Sequence, residues 1–386
     1  MTSLEVKVPA SSYMVGSPFS FNLPLKMSYK TFQLETVTKN GSLTSYGGAK
    51  YLSLDVDGYP MGILYSSGYV YIAVLMPYSN PDLVHGIVKV NVSDLTYTIY
   101  KFPWEVDREN KYYGPCAWTL AFDSKGYLWI SIRGYGVTPA HPPSLIPHLA
   151  KLNVSSATLY IYYVPQGVGN CDVKFYNGTL WAYGTKLLAE IDVETEEIVG
   201  LYNIGVSSGF LALDESENCL WISGVDEGFV KRFNMLSKNV DLTVSGLDRP
   251  LGLFVDSKFV YVAENSDKVG ADETIALIDK FTGNVSRVKT GVIISNQGTY
   301  YVMKSSLGNL WWTDNSKHFG VILPDGETKF CYESISYFCY FMAEVPEGSI
   351  WFSVKGSSLI GVMKEIYVID YHSGGLVSSR KVHCLD

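Results

Sequence analysis

Glu264, Asp314 and His318 are the side chains of this sequence best suited by type and spacing to do chemistry. A carboxylate pair at one place can hold a divalent cation. Alternatively, mutual repulsion keeps a proton on one member, which then serves as an acid. His318 lies four residues after Asp314 and would add a base that titrates near neutral pH. The plainer role for the two carboxylates is turn capping, or ion pairing with Lys268 or Lys317. Four of the six histidines, His85, His141, His148 and His318, fall in segments that read as loops on one side of the molecule. Together they could build a metal site or an acid/base pair, although none has HxH spacing and histidine collects in exposed loops anyway. Tyr135 and His141 share a loop stiffened by Pro139, Pro142 and Pro143. A rigid loop bearing an aromatic loses little entropy on contact and suits recognition of a protein or a glycan. Glycine-rich phosphate loops, a GxSxG elbow and an HExxH helix do not occur.

A repeat must position these residues. A turn residue followed by Tyr or Trp within alternating apolar positions recurs seven times, with the aromatic at Tyr71, Trp129, Trp181, Trp221, Tyr261, Trp311 and Trp351. The commonest interval is 40 residues, with insertions elsewhere, as expected of four-stranded propeller blades. Each unit reads as an apolar strand a, a tight turn, the aromatic strand b, a variable loop, strand c, a second turn and strand d. Two runs near the N-terminus, Lys30 to Val37 and Lys50 to Val56, are strand-like, and at least one should pair with the last blade to close the ring. Leu376 to His383 can supply that blade's fourth strand. In this arrangement the b-to-c and d-to-a loops share one face. Glu264 and Asp314 each lie three positions after the blade aromatic, in neighbouring blades five and six, near the upper mouth of the channel.

Phrases such as Arg249-Pro250-Leu251-Gly252-Leu253, Gly308-Asn309-Leu310-Trp311-Trp312-Thr313-Asp314 and Gly348-Ser349-Ile350-Trp351-Phe352 resemble the propeller group of virginiamycin B lyase, SMP-30/gluconolactonase-type and NHL-repeat proteins. The resemblance spans roughly residues 59–371 and implies fold more than chemistry. For a lyase it implies a His and a Glu with a metal at the top of the channel. Glu264 matches that acidic position, and a second matching His is missing. For a lactonase it implies an inner acidic and Asn set around a metal, where strand a here offers mostly apolar residues.

Composition narrows the class. Apolar residues at 47% can build a large core, and a net charge of −8 argues against nucleic acid and anionic lipid as partners. Charged residues make up only 18% while aromatics reach 14%, with 29 Tyr, which favours strands. No apolar run is long enough to span a membrane, and no secretory signal is visible. Six cysteines lack CxxC spacing, so three disulfides or a set of buried thiols both remain open. Asn-x-Ser/Thr sequons occur at Asn40, Asn91, Asn153, Asn177 and Asn284, near turns where glycans are tolerated.

The chain therefore reads as an all-β, seven-bladed β-propeller over residues 28–386, with an extended arm at 1–27 available for assembly. Its expected role is non-catalytic binding or structure at an exterior surface, extracellular or on a virion, with an archaeal thermophile as the source that combines low charge, scarce Gln and sequons. The expected partner is a protein subunit or a surface glycan. Binding would use Tyr135, His141, His148, His85 and His318, with no cofactor. The alternative is a metal-dependent lyase or lactonase using Glu264, Asp314 and His318, with a divalent cation held by the two carboxylates.

Overall fold

The computed structural model describes residues 23–56, 58–75, 86–103, 105–106, 112–113, 117–132, 147–165, 167–206, 208–334, 338–346, 348–364, 366–373 and 376–384, with side chains omitted at 105–106, 112–113, 147–148 and 366–384. The described residues are all-β. Seven antiparallel sheets form seven blades, whose inner strands a are Tyr59–Ser66, Ala117–Phe122, Asp172–Tyr176, Leu211–Asp214, Pro250–Val255, Thr299–Lys304 and Cys339–Val345. Each inner strand touches the next around the ring, and the last touches the first. All seven aromatic positions fall in strand b of a blade, as the repeat predicts. Among the described residues no helix is long and apolar enough to cross a membrane.

Local chemistry explains the turns. Asp123 sits at the end of strand a in blade two, and one of its oxygens accepts from the amides of Lys125 and Tyr127, both at 2.9 Å. The other accepts from Trp129 Nε1 at 2.8 Å, so one carboxylate fixes both the turn and the blade's aromatic. The c-to-d turns of blades one to five repeat an Asn or Asp cap, at Asn91, Asn153, Asp192, Asn234 and Asp279, each accepting from the amide two residues on. Four residues after each cap the chain turns left-handed, at Leu95, Ala157, Glu196, Lys238 and Gly283.

Cores lie between blades. Trp129 packs with Val173 and Leu180 of blade three, Trp221 with Val260 and Val262 of blade five, and Trp351 with Val70 and Ile72 of blade one. Burying an aromatic of this size contributes roughly 4–6 kcal/mol, which makes these contacts the main force joining blades. One ion pair is also sealed between blades: Lys280 Nζ lies 2.6 Å from Asp214, at 2% and 4% side-chain exposure.

The N-terminal segment closes the ring as expected, and Ala49–Ser53 is the fourth strand of blade seven. The tail is placed differently from the expectation. Leu376–Cys384 pairs only with Ile366–Ser373, in a separate two-stranded ribbon, because Ala49–Ser53 already occupies the edge that it would have filled. The run Lys30 to Val37 is split. Ser28–Gln33 pairs with blade two and Glu35–Asn40 with blade one. Leu25–Lys26, at the end of the expected arm, pairs with blade three of its own propeller.

Candidate functional site at the channel mouth

The central channel is filled. The inner strands, with Phe210 just before that of blade four, present Met61, Trp118, Phe210, Tyr300, Tyr340 and Phe341 to one buried cluster. Tyr300 and Tyr340 stack at 3.9 Å, while Phe210 and Trp118 meet Phe341 edge-on at 5.2 and 6.0 Å. A recurring hydroxyl holds this plug. Two residues after the blade tryptophan, strand b carries Ser131, Ser223, Thr313 or Ser353, each 0% exposed. Ser131 Oγ accepts from Thr119 N at 2.9 Å, Ser223 Oγ from Phe210 N at 2.9 Å, and Ser353 Oγ from Phe341 N at 3.0 Å. Ser223 also donates to Leu251 O of the next blade at 2.7 Å, and Thr313 to Tyr340 O at 2.6 Å. The three serine hydroxyls thus replace a missing ladder bond within their blades, while Thr313 ties strand b of blade six to the plug residue of the next blade. The Trp-x-Ser/Thr spacing is visible in the sequence and would have located the plug.

Above the plug lies a pocket of about 260 Å³, open on the face of the d-to-a and b-to-c connections. Its floor is Trp118, Phe210, Tyr300 and Tyr340. Its rim carries Asn170, Asn265, Gln297 and Asn315, with Asp226, Arg249 and Lys355 as charged groups. Arg249 is held in a left-handed conformation, φ 51°, at the entry to strand a of blade five. Two rim atoms are buried without a hydrogen-bond partner among the described residues: Arg249 Nε, a donor, and Asn315 Oδ1, an acceptor. Gly209 must be glycine, since a Cβ there would stand 1.9 Å from the carbonyl oxygen of Ser223.

The predicted carboxylates lie beside this pocket and are engaged separately. Glu264 is 1% exposed, and both of its oxygens accept from Arg287, through Nε at 2.8 Å and Nη2 at 2.9 Å. The amide of Asp248 and the hydroxyl of Thr274 complete its partners. The anticipated partners pair elsewhere, Lys268 with Asp248 and Lys317 with Glu333. Asp314 caps its turn, accepting from the amides of Ser316 and His318 at 3.0 and 2.7 Å, and its second oxygen meets His318 Nδ1 at 2.7 Å. The carboxylate that reaches Asp314 electrostatically is Glu273, which sequence reasoning missed. Burial, and then the charge of Asp314, push its carboxyl well above the usual range.

Among the described residues no three His, Cys, Asp or Glu side chains are grouped to hold a metal ion. With all its oxygens turned to Arg287, Asp248 and Thr274, Glu264 does not fit a cation shared with Asp314. His85, Tyr135 and His141 lie outside the described residues, and His148 is placed only as backbone, in the strand Pro147–Asn153. Among the described residues Cys219, Cys331 and Cys339 form no disulfide. The sequons Asn91, Asn153 and Asn284 lie at c-to-d turns, Asn177 at an a-to-b turn, and Asn40 opposite Thr96 where a c-to-d turn ends. All five therefore stand at the ends of the blades away from the pocket.

No family model and no curated protein matches the chain. Solved structures do. Virginiamycin B lyase from Staphylococcus aureus, as a catalytically inactive variant with quinupristin, aligns with a TM-score of 0.62 at 14% identity, covering 85% of this chain and 99% of that one. A streptogramin B lyase aligns with a TM-score of 0.60 at 16% identity, covering 84% and 97%. The WD40 propeller domain of Doa1 aligns at 0.53 and 14%, covering 83% and 97%. These likenesses bear out the propeller and its resemblance to the lyase group at the level of fold, a fold shared here by enzymes and a WD40 domain.

Proposed function

We propose that this propeller is a non-catalytic recognition module at an exterior surface, on a virion or a cell, and that it takes a protein segment or a glycan at the channel mouth. The observation that carries the reading is the rim above a closed aromatic floor, where Arg249 Nε and Asn315 Oδ1 lack partners among the described residues. Leaving a buried polar atom unpaired costs about 1–3 kcal/mol, and a ligand whose binding shifts the covering rim side chains would recover it with a matching acceptor and donor. Amides over aromatic faces suit the mixed polar and apolar surface of a sugar or a peptide. The five sequons add support, since glycans on them would leave the pocket clear. Screening the protein on glycan and peptide arrays tests the idea, with Asn315→Leu and Arg249→Ala each expected to weaken the captured ligand about tenfold. A ligand that binds both variants as well as the parent would refute it. Intact-mass detection of glycans on Asn91 or Asn153 checks the exterior setting.

One contact favours a second reading. The Asp314–His318 pair, with His318 at 16% side-chain exposure, has the form of a base held by an orienting carboxylate. In a lyase or lactonase, His318→Asn would abolish cleavage of a lactone substrate, and an array ligand released unchanged by the parent protein would count against that role.

A further inference from the structure

Among the described residues ten residues other than glycine hold a left-handed backbone, and eight of them lie in hairpin turns. The other two, Arg249 at φ 51° and Phe338 at φ 60°, stand directly before the inner strands of blades five and seven. A residue with a side chain is strained there, and such strain collects where a site is built. Matching bonds hold it in place. Arg249 O accepts from Asn265 N at 3.1 Å, and Phe338 O accepts from Lys355 N at 2.8 Å. In each case the donor directly follows strand b of the same blade. Blade five adds a second bond, since Glu264 Oε1 accepts from Asp248 N at 3.0 Å and is itself held by Arg287. Glu264 is thus a positioning residue for the connection that carries Arg249.

Both connections carry a cation to the pocket. Arg249 Nε has no partner among the described residues, and its Nη1 lies 3.7 Å from Asp267 Oδ2, beyond hydrogen-bond length. Lys355 Nζ donates to Tyr340 Oη at 3.0 Å and lies 5.1 Å from the centre of that ring, which stacks with Tyr300 in the floor. The lining therefore holds two cations against one carboxylate, Asp226, in a chain of net charge −8. Charge of that sign draws an anion to the mouth. Asn315 adds the opposite polarity. Its Nδ2 donates to Gln297 Oε1, which leaves Oδ1 as an acceptor suited to a hydroxyl.

We propose that the channel mouth takes the terminal residue of an acidic glycan, a sugar ring bearing a carboxylate. This rests on the recognition role proposed above and names its ligand class. Arg249, with 37% of its side chain exposed, would turn its buried Nε towards the carboxylate, and Lys355 would meet the same group. A ring hydroxyl would donate to Asn315 Oδ1. The charge-assisted bonds are the stronger ones and give the acid its advantage over a neutral sugar. The pocket, at about 260 Å³, is just below the ~300–1,000 Å³ of clefts that take drug-sized ligands, so it fits one ring and not an extended segment. The apolar face of that ring would lie on Tyr300 and Tyr340. An Asp or Glu side chain has no such face to lay on an aromatic floor, which favours the sugar over an acidic peptide.

Calorimetric titration of the full chain with glucuronate and with N-acetylneuraminate, each beside its methyl ester, tests this. At least one acid should bind about tenfold tighter than its ester, and that preference should fade as salt rises from about 50 to about 500 mM. Arg249→Gln and Lys355→Gln should each bring the ratio of acid to ester towards one. The parent protein alone decides the first comparison, so a variant that fails to fold leaves the test intact. Equal binding of both acids and their esters would overturn the acid assignment and leave the recognition role standing. A ratio unchanged in both variants would place the carboxylate elsewhere and overturn it as well. Tighter binding of a tetraglutamate peptide than of either acid would overturn it in favour of a peptide. No binding of any of these sugars would overturn it too, and the arrays with Asn315→Leu then judge the recognition role by itself.

Discussion

Replacing Glu273 by glutamine should make the protein more stable at neutral pH and change little in acid. Glu273 is 1% exposed; one oxygen accepts from Thr290 Oγ1 at 2.8 Å, and the other has no partner among the described residues. Burial and the Asp314 charge raise its pKa, so the folded chain holds this proton more tightly than the unfolded chain does. Below the unfolded value, about 4.3, both states are protonated and the favourable contribution is complete. Above it the unfolded chain binds fewer protons, and stability falls by up to about 1.4 kcal/mol per pH unit until the folded group ionises. Glutamine keeps an acceptor for Thr290 and removes the charge. The gain should match the cost of an uncompensated buried polar group, about 1–3 kcal/mol at pH 7, and shrink towards zero at pH 4. In a chain of this length that is a rise in Tm of a few degrees. Denaturation of parent and variant at pH 4 and pH 7 measures it. A variant less stable than the parent at pH 7, or a difference that is the same at both pH values, would refute the reasoning.

Lys280→Met should cost about 3–5 kcal/mol by leaving Asp214 charged and sealed between blades, and Lys280→Met/Asp214→Leu should recover most of it, as urea titration would show. Gly209→Ala should destabilise by about 1–3 kcal/mol and disturb the rim of the pocket, read by denaturation and by loss of ligand capture, because its Cβ meets the Ser223 carbonyl. Asp256 is pushed up by burial, but Lys304 and the amides of Phe259 and Lys258 outweigh this and hold it at about 2. Its contribution is therefore complete above the unfolded value near 3.9 and lost as pH falls towards 2, and Lys304→Met should flatten that part of the acid unfolding curve.

Much of the ring was legible because its inner strands obey a simple pattern. Tyr or Trp in strand b, with apolar neighbours on both faces, is the signature of a sheet buried between sheets, and all seven copies proved to be blades. The N-terminal strands were legible only in part. Lys30 to Val37 reads as a single strand-like run, but in Ser28–Gln33 only Phe32 is partly buried, so no pattern marks the division of that run between two blades. It exists because blade two offers an edge, which is a tertiary fact. The partner of Glu264 was hidden for a related reason. Arg287 lies 23 residues away on the outer strand of the blade and crosses the sheet surface to reach it, while the nearer Lys268 points to Asp248. Glu273 and Asp314 meet across two blades, so no spacing within a repeat could pair them.

The plug decides what kind of site the channel mouth can be. Its aromatic residues are held through their own backbones, since Phe210 N and Phe341 N each donate to a hydroxyl on strand b that is 0% exposed. These bonds fix the backbone beneath the plug, while the rings themselves are held by their mutual contacts, Phe210 and Trp118 on Phe341 and Tyr300 on Tyr340. The floor of the pocket is therefore a packed aromatic cluster. In the proposed binding role, discrimination would fall to the rim, where Asn315, Arg249 and Gln297 stand on connections rather than on inner strands. Such an arrangement keeps a fixed apolar surface and varies only the groups above it. The Asp314–His318 pair adjoins that rim through Asp314, which precedes Asn315 in the chain and would orient the connection in the proposed binding role.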